Sequence, residues 1–251
     1  MQTSETLEQI ARQNLKNLSS NQYPGRGIIV GMDETGQNLI QIYFITGRSS
    51  GSRNRIFGSE GGRVFTQAAD PAEEVGDTSL TLYNAMREDG THFVVSNGNQ
   101  TDAVITALQC RSPLTAGFIE GLAKHQYEPD PSHTPRITGV CVPSGYPMAQ
   151  LSILRKSAWG DSSDRSLHSY DELAPGFGFC ITTYTGDGNP LPLWKGEPLL
   201  MPLVNDAVAI ASTYWDALNK ENRVSLAVKS IPREKRASIT YIINRFPKVP
   251  A

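Results

Sequence analysis

Short apolar runs of β character come in two groups with a block of helical pattern between them, and that order limits the fold more than any other feature of the chain. Runs at 27–32, 39–46, 80–87 and 92–96 alternate with period two or are continuously apolar, as half-buried and fully buried strands do. Segments 101–108 and 114–125 then space their apolar residues helically, the second with Ser112 placed to cap it and Pro113 in its first position. β character returns at 136–142, 150–156 and 178–184. After a Pro-punctuated stretch at 189–202, a long helical pattern at 204–220 leads to two last strands at 224–230 and 238–244. Most connections within a group are too short for a parallel crossover, so the strands are expected to pair antiparallel. Strands in runs, without strict βαβα alternation, predict an α+β fold with sheets packed on helices. A four-layer αββα sandwich is one arrangement that fits this order.

Leu7, Ala11, Leu15 and Leu18 share one side of a 3.6-residue period, so a first helix is expected to lie over the domain as a lid or arm. Residues 1–22 are accordingly read as a helical extension and 23–251 as one domain, within the range that 251 residues allow. No apolar run approaches the roughly 20 residues of a membrane span. The first helix carries Glu5 and Glu8 and lacks the continuous apolar segment of a secretory signal, which makes the cytoplasm the expected compartment. Lys plus Arg number 23 against 25 Asp plus Glu, a net charge of −2, so no one-signed field would hold the chain to nucleic acid or an anionic membrane. Cys110, Cys141 and Cys180 are odd in number, far apart and set in apolar runs. They read as reduced thiols acting as small buried hydrophobes.

Several familiar chemistries are missing. There is no phosphate loop of the form Gly-x-x-x-x-Gly-Lys-Ser/Thr. Pro24-Gly25-Arg26-Gly27 with Gly31 has the wrong spacing for a dinucleotide loop and leads into a strand where a helix is required. The four histidines make no i, i+4 pair and no Cys-x-x-Cys occurs, so no metal site is expected. Gly-x-Ser-x-Gly is also absent. What remains is polar and arginine-rich. Residues 47–55 place Arg48, Arg53 and Arg55, three serines and Asn54 directly after an apolar strand. Freed backbone N–H groups, hydroxyls and guanidinium forks can cradle a phosphate, although a solvated basic loop has the same composition. Ser96-Asn97-Gly98-Asn99-Gln100 joins a strand to a helix. Its ordinary role is turn and cap, while its amides also suit the donor–acceptor edge of a heterocycle. Thr185-Gly186-Asp187-Gly188 reads as a tight turn and Glu128 as a loop carboxylate.

Tyr23-Pro24-Gly25-Arg26, the 47–55 loop, Leu82-Tyr83-Asn84, Val95-Ser96-Asn97-Gly98 with Thr101-Asp102, Tyr127-Glu128 and Thr134-Pro135-Arg136-Ile137 together resemble, in order and approximate spacing, the archaeal-type IMP cyclohydrolases. The resemblance runs from about Tyr23 to the C-terminal strands. It implies an αββα fold like that of N-terminal-nucleophile hydrolases without the self-processed nucleophile. The implied reaction closes 5-formamidoimidazole-4-carboxamide ribonucleotide to IMP with loss of water in purine biosynthesis. No metal and no redox cofactor are expected, and the partner implied is a purine ribonucleotide, with a homo-oligomer as the expected assembly. On this likeness Arg48, Ser49, Arg53 and Asn54 would anchor the 5′-phosphate, with Arg26 a further cation. Arg55 and Tyr83 would polarise the formyl oxygen and pass a proton, Glu128 would act as base or orient the carboxamide, and Asn84 and Asn97 would hold the amide edge. Arg136 would touch ligand or equally serve a structural ion pair, and the alternative for Tyr83 is a strand aromatic in the core. Loops near 143–148 and 159–175 look inserted relative to the archaeal pattern. A nucleotide-binding module without turnover and an amidohydrolase on the same fold are the competing functions.

Overall fold

Both faces of the central strands are covered, which is why they read as continuous apolar runs. The structure is a computed structural model that describes residues 4–73, 78–234 and 237–249. In chain order the elements are α1 (Ser4–Ser20), β1 (Arg26–Met32), β2 (Asn38–Thr46), α2 (Ser50–Arg53), β3 (Ile56–Glu60), β4 (Arg63–Gln67), β5 (Asn84–Glu88) and β6 (Phe93–Ser96). There follow α3 (Gln100–Cys110), α4 (Leu114–Leu122), β7 (Arg136–Cys141), β8 (Ala149–Lys156), β9 (Ser163–Tyr170), β10 (Phe177–Thr182), β11 (Leu199–Pro202), α5 (Ala207–Ala217), β12 (Arg223–Pro232) and β13 (Ile239–Asn244). One sheet has the order β11-β10-β1-β2-β12-β13 and the other β3-β4-β5-β6-β7-β8-β9. Every strand pairs antiparallel with its neighbours.

Period-two alternation sorts side chains into layers. Ile28 and Val30 of β1, Ile45 of β2, Val95 of β6, and Ile137 of β7 fill the space between the sheets. Ile29, Ile42 and Phe44 point the other way, against Leu18 of α1 and Ile210 and Tyr214 of α5. On the far side, Val94 and Val140 meet Val104, Ile105, Leu108 and Phe118 of α3 and α4. The result is helices, sheet, sheet, helices, the four-layer αββα arrangement expected. Helix α1 lies against β11 and α5 and so belongs to an outer helical layer.

Several local expectations need correction. Pro113 is the N-cap of α4 itself, with no side-chain cap from Ser112. The strand expected at 80–87 starts only at Asn84, after a 3-10 turn. Strands β3, β4 and β11 were not expected, and β9 occupies part of the supposed insertion at 159–175. Strand β9 is mostly polar and alternates exposed with half-buried residues at the sheet edge, so it carries little apolar signal. Cys141 and Cys180 are buried as expected, whereas Cys110, at the end of α3, is exposed.

Candidate active site

Antiparallel pairing brings alternate strand ends to the same rim. The start of β1, the end of β2, the approach to β5, the end of β6, the start of β7 and the end of β10 meet at one end of the sandwich. Arg26, two residues before Ile28, shares the parity that faces between the sheets. Gly25 carries the chain into it at φ +74, and a Cβ there would collide with Thr183 Oγ1 at 2.1 Å. Only glycine accepts both that conformation and that approach. The Gly25 carbonyl accepts from the backbone and the hydroxyl of Thr46, both at 2.8 Å.

A cavity of about 450 Å³ opens at this rim, and its lining includes Tyr23, Arg26, Arg48, Ser49, Arg55, Glu128, Asp130 and Tyr184. Arg26, Arg55 and Glu128 are all buried. Arg26 Nε and Arg55 Nε and Nη1 have no hydrogen-bond partner among the described residues. Buried guanidinium donors left open are costly, since such groups are nearly always satisfied. Three of them on two residues that line one cavity make it the candidate site for a ligand that brings an acceptor. A larger cavity of about 770 Å³ lies between α1 and the β10–β11 region. It holds none of these arginines, and rim amides such as Asn14 and Asn21 already bond to Leu200 and Thr185 carbonyls.

The charges at the rim act on one another. Burial is the largest influence on Arg26 and opposes its charge, but Glu128 and the tyrosines Tyr83, Tyr43 and Tyr23 together outweigh it and raise its pKa. Burial and then Arg26 lower that of Arg55, which nonetheless stays protonated. Burial raises Glu128 above the ordinary 4.5, with Arg26, Arg136 and Arg55 pulling the other way. Burial likewise raises Tyr83 above 10, against Arg55 and Arg26. Tyr83 is thus placed electrostatically among the lining groups, although it is not itself part of the lining. Its hydroxyl lies 2.6 Å from that of Tyr43, a fully buried residue of β2.

Not all expected site residues reach the cavity. Arg48 sits at the mouth, 4.5 Å over the Tyr23 ring and ion-paired with Asp187. Ser49 also lines it, while its hydroxyl caps α2 by accepting from the Ser52 N–H at 3.2 Å. Arg53 turns back on its own loop, Nε donating to the Gly47 carbonyl at 3.0 Å. Asn54 is clipped to Asp70 in both directions, donating at 2.8 Å and accepting at 2.7 Å. Asn97 is buried at the end of β6, donating to Glu128 Oε1 at 3.2 Å and accepting from Ile137 N–H at 2.8 Å. Arg136 has the parity of Val140, toward α3, and donates to Gln100 Oε1 at 2.8 Å. Asn84 also faces α3, donating to Asp102 at 2.9 Å.

From sequence no site role is expected for Tyr43, Tyr184, Asp130 or Thr134, although Thr134 stands in one of the quoted motifs. Thr134 Oγ1 donates to Asp130 at 2.5 Å and lies 2.6 Å from the Tyr184 hydroxyl. Tyr184 in turn stacks on Tyr23 with centroids 5.7 Å apart. No signal in sequence joins Thr134 to a tyrosine fifty residues away. For Tyr43 a weak one exists: a hydroxyl-bearing aromatic with the parity of Ile45, in the strand that runs into the arginine loop.

Residues 23–235 match the family model described as IMP cyclohydrolase-like protein. The IMP cyclohydrolase of Halobacterium salinarum is 32% identical over 136 residues, 54% of this chain and 64% of that protein. That of Methanothrix thermoacetophila is 33% identical over 167 residues, 66% of this chain and 76% of the other. That of Haloquadratum walsbyi is 30% identical over 138 residues, 54% of this chain and 63% of the other. The match therefore spans just under two thirds of the Halobacterium protein's length. With the matched model extending over most of its length, the chain belongs to the IMP cyclohydrolase-like protein family.

Proposed function

We propose that this chain is an IMP cyclohydrolase that closes the pyrimidine ring of 5-formamidoimidazole-4-carboxamide ribonucleotide with release of water. The observation that carries the reading is the set of open donors on buried Arg26 and Arg55 beside buried Glu128. That combination offers cations for an oxygen that becomes negative and a carboxylate for a proton that must leave. The carboxamide nitrogen is a poor nucleophile because its lone pair is delocalised, and the reaction needs both kinds of help.

In the first half, the carboxamide nitrogen forms a bond to the formyl carbon and gives one proton to Glu128. The carbonyl π pair moves onto oxygen, which Arg26 and Arg55 stabilise and which takes the Tyr83 proton. In the second half, the hydroxyl departs as water with the proton from Glu128. The former formamide N–H returns a proton to Tyr83 as the C=N bond forms, so both residues are restored. Holding two groups of one imidazole in contact draws on an orientational advantage that can total about 7–11 kcal/mol. One well-placed donor to the oxyanion adds about 3–4 kcal/mol.

Arg48 and Ser49, at the mouth, are assigned to the 5′-phosphate. Arg53 and Asn54 would shape the loop that presents them, because their side chains are engaged by the protein. Asn97 would orient Glu128, Arg136 would add positive charge behind it, and Asn84 would hold α3 in place. Work in the cytoplasm as a homo-oligomer completes the proposal. No helix among the described residues is long and apolar enough to cross a membrane. The decisive experiment is to incubate purified protein with the formylated ribonucleotide and follow purine absorbance. IMP formation well above the spontaneous rate is expected, and nucleotide binding without it would leave a binding module instead.

A further inference from the structure

Tyr43 and Tyr83 come from different sheets and share one short hydrogen bond in the layer between them. Tyr43 is fully buried in β2, where its ring packs 5.3 Å from Phe57. Among the described residues, Tyr83 is the one hydrogen-bond partner of its hydroxyl. Tyr83, just ahead of β5, keeps a small exposure and feels Arg55, Arg26 and Glu128, three groups of the cavity lining. One bond between two phenols has two possible directions. If Tyr83 donated, the Tyr43 proton would be stranded in the core without an acceptor, which buried hydroxyls avoid. If Tyr43 donates, the leftover proton belongs to the phenol nearer the cavity, where a ligand can accept it.

Resting on the function proposed above, we infer that Tyr43 is a positioning residue: it donates to the Tyr83 oxygen, frees the Tyr83 proton for a carbonyl oxygen of the bound substrate, and steadies the phenolate left behind. Tyr43 touches no substrate and loses no proton itself. When Tyr83 regains its proton from the ring nitrogen, the original bond is restored. The same hydrogen bond also joins the two sheets, so a purely structural role predicts lower stability with unchanged chemistry.

The test uses Tyr43→Phe, Tyr83→Phe and the double variant. Tyr43→Phe is expected to lower kcat about 10-fold with KM within about twofold, because the lost bond matters most as charge develops on Tyr83. In the Tyr83→Phe background the same change should alter kcat by less than about twofold, since the pair acts as one unit. Independently of turnover, the Tyr83 ring carbon bearing oxygen can be followed by NMR in tyrosine-labelled protein and assigned with Tyr83→Phe. Its titration should move to higher pH in Tyr43→Phe. In Tyr43→3-fluorotyrosine, a stronger donor of nearly the same shape that serves if Tyr43→Phe does not fold, it should move to lower pH. Unchanged kcat, a loss that adds in full to Tyr83→Phe, or a Tyr83 titration that stays put would each overturn the assignment. If the wild-type protein forms no IMP, the proposed function fails instead, and the titration alone decides whether Tyr43 donates to Tyr83.

Discussion

Two groups of buried charge sit between the same two sheets, and they are finished differently. At the rim, Arg26 and Arg55 leave three donors open beside a cavity. Further along β12, fully buried Lys229 reaches across to the other sheet, donating to Glu88 at 2.5 Å and to the Gly62 carbonyl. Ser238 donates to the same Glu88 oxygen at 2.7 Å. Burial lowers the Lys229 pKa and Glu88 opposes it. A buried charge whose donors are matched closes on itself and fastens the sheets. A buried charge with donors unmatched carries a desolvation cost that a ligand can relieve. Equal burial therefore does not imply equal purpose, and the open donors separate the two.

The sharpest way to break this contrast is to remove one member from each group. Lys229→Ala leaves Glu88 without its cation and should cost about 3–5 kcal/mol of stability, read by denaturant unfolding. Wild-type stability in this variant would show that the closed group fastens nothing. Arg55→Met should do the reverse, holding stability within about 1 kcal/mol of wild type while lowering kcat about 100- to 1000-fold. A variant that unfolds but turns over normally when folded would make Arg55 structural.

The contrast extends to pH. Because burial holds the Glu128 pKa above 4.5, its base form is lost as pH falls through that raised value. The acid limb of kcat/KM should therefore have its midpoint above 4.5. Tyr83, raised above 10, should keep its proton until pH exceeds 10, so the alkaline limb lies beyond that. Steady-state rates across the range check both, and an acid limb at or below 4.5 would remove Glu128 from the role of base. The smallest effect belongs to Asn84→Ala, which frees Asp102 of one partner on the α3 side. About 1 kcal/mol of stability should be lost with KM and kcat within about twofold. A tenfold rise in KM would bring Asn84 back to the substrate.

Much of the fold was legible because both faces of the central strands are apolar and the helices carry periodic stripes. Strands β1, β2, β7, β8 and β12 declare themselves this way. Strands β9 and β11 did not: the first is a polar edge and the second is a four-residue run inside a Pro-rich stretch. In the site, Arg26, Arg48, Arg55 and Glu128 stand out as polar residues in motifs, and they do meet at the cavity. Arg53 and Asn54 have the same composition and loop, yet turn toward Gly47 and Asp70. Local sequence carries residue type and parity but not the direction in which a loop side chain finds its acceptor.

The order of the central strands and the longer helices, the residues with chemistry to offer and the face each of those strand residues takes were set by the linear chain, because periodicity and turn residues act over a few positions. Which hydroxyl meets which was decided only by the packing of one sheet on the other. Tyr43 and Tyr83 lie forty residues apart, and Thr134 and Tyr184 fifty. Contacts at that separation depend on how the layers register, which no short stretch of sequence encodes.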